Sequence, residues 1–188
     1  MANSIATART LIDNLLPDNV VKAISAKDVR DTVNAVLDLI VPKVGLITAQ
    51  TSSVQSIGTV FQKLTGFTVK QSTGDSITPD LITQDITVSE AGFYIVTGKI
   101  NMSFANNTLL TGALAINGTE LGFQTELDGL GATKPVSLDV PAFFFQLPAG
   151  AVLSISIKVD SAANITLNNG YLQMQSVPFS VLDFVPEV

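Results

Sequence analysis

The stretch "FYIVTGKINMSF", residues 93–104, decides the fold. Its even positions Tyr94, Val96, Ile100, Met102 and Phe104 are apolar and share one face of an extended chain. The odd positions turn polar only after Ile95: Thr97, Lys99, Asn101 and Ser103 follow. Period-two alternation of this kind predicts a β-strand with one buried face.

The same period recurs downstream. "LLTGALAINGTEL" sets Leu110, Leu114 and Ile116 on one face and then meets Asn117-Gly118, the strongest short hairpin signal. "KPVSLDVPAFFFQL" alternates Val136, Leu138 and Val140 against Ser137 and Asp139. "AVLSISIKVD" alternates Leu153, Ile155, Ile157 and Val159 against Ser154, Ser156, Lys158 and Asp160. "NITLNNGYLQMQSV" alternates around Asn169-Gly170. Upstream, residues 59–69 and 80–88 read as strand-like runs, with a loop at 72–76. About eight to ten short strands with Gly, Pro and Asn turns predict an antiparallel sandwich or barrel rather than βαβ units. The run "ELDGLGATK" (126–134) is expected as an outward loop; it lacks the spacing of a phosphate-binding loop.

One segment breaks the pattern. "ISAKDVRDTVNAVLDLIVPK" (24–43) has Ser25 as an N-cap, with Asp28 three residues on, and Pro42 as a stop. Val29, Val33, Val36, Leu37 and Ile40 form one helical stripe, and Lys27 pairs with Asp31 on the other side. The stripe has three readings: a three-stranded coil, a plug into a larger assembly, or packing on its own domain. Before it, residues 1–23 carry the clusters Leu11-Ile12 and Leu15-Leu16 around a Pro17 turn, an arm expected to order on a partner.

Composition narrows the function. The 188 residues contain no Cys, no His and no Trp, which removes disulfides, thiolate metal sites and the usual general base. No catalytic, cofactor or metal site is expected; Glu120, Glu126 and Asp128 read as solvated carboxylates. The net charge is −6 and the ten Lys and Arg are scattered, against nucleic-acid binding. Hydrophobic residues make up 46% and charged ones only 14%, more apolar surface than one copy readily hides. No uncharged apolar run reaches the roughly 18 residues of a spanning helix, and the start lacks the pattern of a signal peptide. The expectation is an unexported protein that buries surface against copies of itself. The polar strand faces are mostly Ser, Thr, Asn and Gln, which suits such coverage.

The order of the runs resembles the C1q/TNF-like trimeric jelly roll. The carrying residues are Gly92, Tyr94 and Val96 in "SEAGFYIVTGKI", the Asn-Gly turn of "ALAINGTEL", Leu147, Gly150 and Leu153 in "FFQLPAGAVLSISI", and Gly170, Tyr171 and Leu172 in "NNGYLQM". Val96 departs from the aromatic at its place, and no collagen-like repeat is present. The N-terminal "LPDNVVKAISAKDVRDTVNAVLDLI" is similar to the front of bacteriophage virion proteins. Together these resemblances imply a homotrimer: a mainly β antiparallel sandwich preceded by an arm and one α-helix. The implied divisions are an anchoring arm and helix (1–43), a linker (44–58), a jelly roll (59–178) and a tail (179–188). The implied role is a head fibre or capsid decoration on the outer virion surface, made in the host cytoplasm. Its partners would be sister chains and the major capsid protein or another virion protein. A tail or baseplate module recognising a host surface glycan is the alternative.

The anchoring or oligomer-contact residues on this reading are Leu11, Leu15, Val29, Val33, Val36, Leu37 and Ile40. Tyr94, Phe144 and Tyr171 are the candidates for the trimer interface. Within Phe143-Phe144-Phe145, alternation separates Phe144 from the other two: either all three pack in the core, or one faces a sister chain.

Overall fold

A computed structural model describes residues 26–105, 108–131 and 134–178, without the side chains of residues 26, 37–40 and 122–125. Leu11, Leu15, the N-cap Ser25 and the tail, each given a role above, fall outside the described residues, as do the side chains of Leu37 and Ile40.

Among the described residues, the helix α1 (Ala26–Ile40) comes first. Thr32 Oγ1 donates to the Asp28 carbonyl at 2.8 Å, and Lys27 pairs with Asp31 one turn on. Val29 and Val33 remain 46% and 50% exposed, so this part of the stripe is not buried against the chain's own sandwich.

Twelve strands follow among the described residues. They are β1 (Val44–Ala49), β2 (Ser53–Ile57), β3 (Gln62–Lys63), β4 (Val69–Thr73), β5 (Ile77–Asp80), β6 (Asp85–Val88), β7 (Gly92–Ser103), β8 (Leu109–Ile116), β9 (Thr119–Asp128), β10 (Val136–Leu147), β11 (Val152–Val159) and β12 (Ala163–Val177). All pairings are antiparallel. A front sheet runs β10-β7-β12-β1-β4, with β2 also on β12, and a back sheet runs β5-β6-β11-β8-β9, with β3 also on β11. The even residues of β7 point into the space between the sheets, as their alternation predicts. There Val96, Ile100 and Met102 join Leu114, Leu153, Ile155, Leu172 and Met174 in one core. Each fully buried aliphatic side chain of this kind contributes roughly 1.5–3 kcal/mol.

Three expectations are corrected. Residues 44–58 are no linker. β1 alternates half-buried and buried positions and pairs with β12 from Val44↔Gln175 to Ala49↔Gly170, while β2 pairs further along β12. The domain therefore starts at Val44. The run 59–69 is mostly loop around the two-residue β3. The run 80–88 is a hairpin joining β5 to β6.

Two local devices shape the sheets. Asn117 and Gly118 both take positive φ, 52° and 74°, which turns β8 into β9 as the pair predicts. In β10 the register jumps from Val140↔Gly98 to Phe143↔Val96. This bulge holds Pro141, which has no N–H for a ladder, on the end strand of the sheet.

Candidate functional site

The outer face of the front sheet follows from the registers. Ile47, Val96, Leu172 and Met174 point inward, so their neighbours along each strand point out. At one end of the sheet the outward row holds Phe93 between Gln146 of β10 and Val177 of β12. The next row holds Phe144, Ile95, Gln175 and Val44, and a third holds Thr97, Gln173 and Leu46. Phe144 is 51% exposed, and its ring centroid lies 5.7 Å from that of Phe93. Beside them, an open depression of about 450 Å³ is lined by Ala91, Gly92, Phe93, Gln146, Leu147 and Pro148.

Toward the other end the face becomes polar. Tyr171 sits opposite Lys99, whose ammonium is 3.5 Å from Asp139. Asn101 Nδ2 donates to Asn169 Oδ1 at 2.7 Å. The Lys99–Asp139 pair supplies the charge on these rows; the other polar residues are Gln, Thr, Asn and Ser. Glutamine and threonine carry no Born penalty when covered, and they can hydrogen-bond across an interface. A face of half-buried aromatics and aliphatics set among neutral amides is therefore suited to burial against another protein surface.

The candidate residues separate here. Phe144 and Tyr171 lie on this outer face, Tyr171 at 38% exposure. Tyr94 does not, which corrects its assignment to an interface. It points inward, is buried, and its hydroxyl donates to the Glu90 carbonyl at 2.7 Å. Burial pushes its phenol up to about 12, with the charge of Glu90 adding to the shift. Phe143 and Phe145 oppose Val96 and Tyr94 and pack partly buried against the core, so the three phenylalanines divide between faces.

Sequence reasoning passed over Phe93, Ile95, Val44, Leu46 and Val177. The signal was present in the first two. They are the apolar odd positions at the start of β7, where both faces of the strand are hydrophobic. Val44 and Leu46 were hidden by reading their segment as a linker.

A second feature was also missed. The β5–β6 hairpin tip carries Ile82, 92% exposed, on a braced loop. Asp80 Oδ1 accepts from the Ile82 N–H at 2.7 Å, which holds the Asp80 carboxyl below its usual range. Gln84, at φ 59°, accepts the Gly66 and Phe67 N–H groups at 2.8 and 2.7 Å, and its amide donates to the Phe67 and Leu81 carbonyls. Lys63 Nζ donates to the buried carboxylate of Asp85 at 2.8 Å and to the Thr83 carbonyl at 2.9 Å.

Among the described residues, no three carboxylates converge as a metal site, and no helix is long and apolar enough to cross a membrane.

No protein-family model and no curated protein matches the sequence. Solved structures match the fold. Eiger TNF from S. frugiperda superposes with a TM-score of 0.50 over 79% of this chain and 100% of that one, at 14% identity. Murine APRIL at pH 8.0 gives a TM-score of 0.50 over 72% of this chain and 99% of that one, at 13% identity. Identities this low speak for the fold alone: the chain is a TNF-like antiparallel jelly roll with a helix before its first strand.

Proposed function

We propose that this chain is a structural virion protein: a homotrimeric head fibre or capsid decoration whose N-terminal region grips the particle and whose jelly roll faces outward. The observation that carries self-association is the outer face of the front sheet, where Phe93, Phe144, Ile95, Val44, Leu46 and Val177 stand among neutral amides. Three copies closing on that face bury the aromatic end and leave the Lys99–Asp139 end nearer the rim. The virion assignment rests on the resemblance of residues 16–40 to phage virion proteins and on the missing catalytic residue types. Residues 1–43 are the attachment region on this reading.

Two measurements test it. Light scattering of the purified chain is expected to give a trimer; a monomer sinks the self-association. The full-length protein is expected to bind virions lacking it, and a chain without residues 1–41 is expected not to. Binding by the truncated chain would remove the anchoring role. Adsorption of the purified trimer to host cells, with protection against infection, would move the reading to a tail or baseplate receptor-binding module for a surface glycan.

A further inference from the structure

We infer that α1 is the joint of the assembly, a parallel bundle in which the Val29-Val33-Val36 stripe of each copy meets the same stripe of its two sister chains. The inference rests on the trimer proposed above.

The spacing comes first. Val29, Val33, Val36 and Ile40 recur at intervals of four, three and four, the alternation of core positions in a heptad. All four are β-branched, and β-branched residues at both core positions favour three or more strands over two. The charged pair Lys27–Asp31 is well exposed and lies off this stripe. Exposure comes second. Val29 and Val33 stand half in solvent on a helix of fifteen residues, a length that is marginal in water without a packing partner.

Placement selects the partner. Only residues 41–43 separate α1 from β1. Lys43 is locked to the central strand β12: its N–H donates to Ser176 Oγ at 2.7 Å, and the Ser176 N–H donates to its carbonyl at 2.8 Å. The helix therefore leaves the sandwich at the aromatic end of the front face, beside Val44, Gln175 and Val177. Val41, 49% exposed, continues the apolar surface between stripe and face. Rotational symmetry that brings three such faces together also brings the three helix roots together. The stripe and the face then form one continuous interface, which narrows the attachment region from residues 1–43 to residues 1–25.

The chain has no cysteine, so one introduced thiol reports alone. Full-length Val33→Cys and Asp31→Cys proteins are oxidised mildly, run on non-reducing gels and weighed by light scattering. Val33→Cys is expected to link two of every three chains, about tenfold faster than Asp31→Cys, because a disulfide needs its Cα atoms within about 7 Å. Val29→Cys repeats the measurement should Val33→Cys fold poorly. A trimer in which neither stripe thiol links, or in which Asp31→Cys links as fast, overturns the inference and leaves the trimer standing. A trimer whose Val33→Cys thiol stays unlinked and shielded from a thiol reagent puts residues 1–25 on the stripe, which also overturns it. A monomer by light scattering overturns both.

Discussion

The two outer faces of the sandwich differ in the size of their side chains. The front face carries Phe93, Phe144, Ile95, Val44 and Leu46, half-buried or exposed. The middle of the back face is built from small residues that are already buried: Thr111, Ala113 and Ala115 of β8 beside Ser154 and Ser156 of β11. Charge borders that stripe, with Lys158 on β11 and Asp85 on β6. Large apolar groups left half open still have surface to lose to a partner, while small buried ones have little more to give. The front face therefore has energy left for assembly, and the back face has spent most of its own on folding.

The largest expected effect breaks this contrast directly. Ile95→Asp or Phe144→Asp places a carboxylate in the aromatic end of the front face. Loss of a central contact costs about 2 kcal/mol or more, repeated in each copy, so the proposed trimer is expected to fall to single chains by light scattering. A Phe144→Asp protein that stays trimeric removes Phe144 from the interface.

Lys63→Ala acts on the other sheet. It strips the cation from the buried Asp85 and is expected to cost about 1–3 kcal/mol in urea unfolding, without changing the assembled mass. A change of mass would mean that the braced hairpin also takes part in assembly.

Tyr94→Phe lies between the two faces. Losing the hydrogen bond to Glu90 is expected to cost about 1 kcal/mol. The phenol also carries a pH signature. Its folded pKa of about 12 exceeds the ordinary tyrosine value of 10.0. Its contribution is therefore complete below pH 10 and is lost as the pH rises through about 12. Thermal melts from pH 9 to 12 are expected to fall less steeply for Tyr94→Phe than for the parent.

Smallest is Lys158→Ala on the back face. It removes an ammonium 4.7 Å from the Phe61 ring centre. The expected loss is about 0.5–1 kcal/mol, with the assembled mass unchanged.

Much of the sandwich was legible locally. The alternation in β7, β8 and β11 named the core side of each strand, and Asn117-Gly118 named its turn. The outer front face was half legible: Tyr171 and Phe144 lie on it, and Phe93 and Ile95 stood in the deciding stretch unread. Phe144 shows where local reading stops. The alternation of Leu138 and Val140, carried on, points Phe144 inward. The bulge at Pro141-Ala142 shifts the phase, so Phe143 and Phe145 turn in and Phe144 turns out. Asn169-Gly170 resembles a turn, yet β12 runs through it with a bulge. A Cβ on Gly170 would come within 2.6 Å of the Lys99 carbonyl oxygen, so only glycine lets β7 approach there.

By itself the sequence determined most of the segments that extend from Gly92 onward, the one that coils, and which side of most of those strands is apolar, because these depend on residues two to four positions apart. It also excluded thiol and histidine chemistry by composition. Tertiary structure alone decided that Val44–Ala49 enters the middle of the front sheet, that Lys63 meets Asp85, and that the apolar rows of four strands merge beside the helix root. Those outcomes depend on pairings such as Lys43 with Ser176, 133 residues apart. Cross-strand contacts at that distance are selected by packing and register and leave no local period to read.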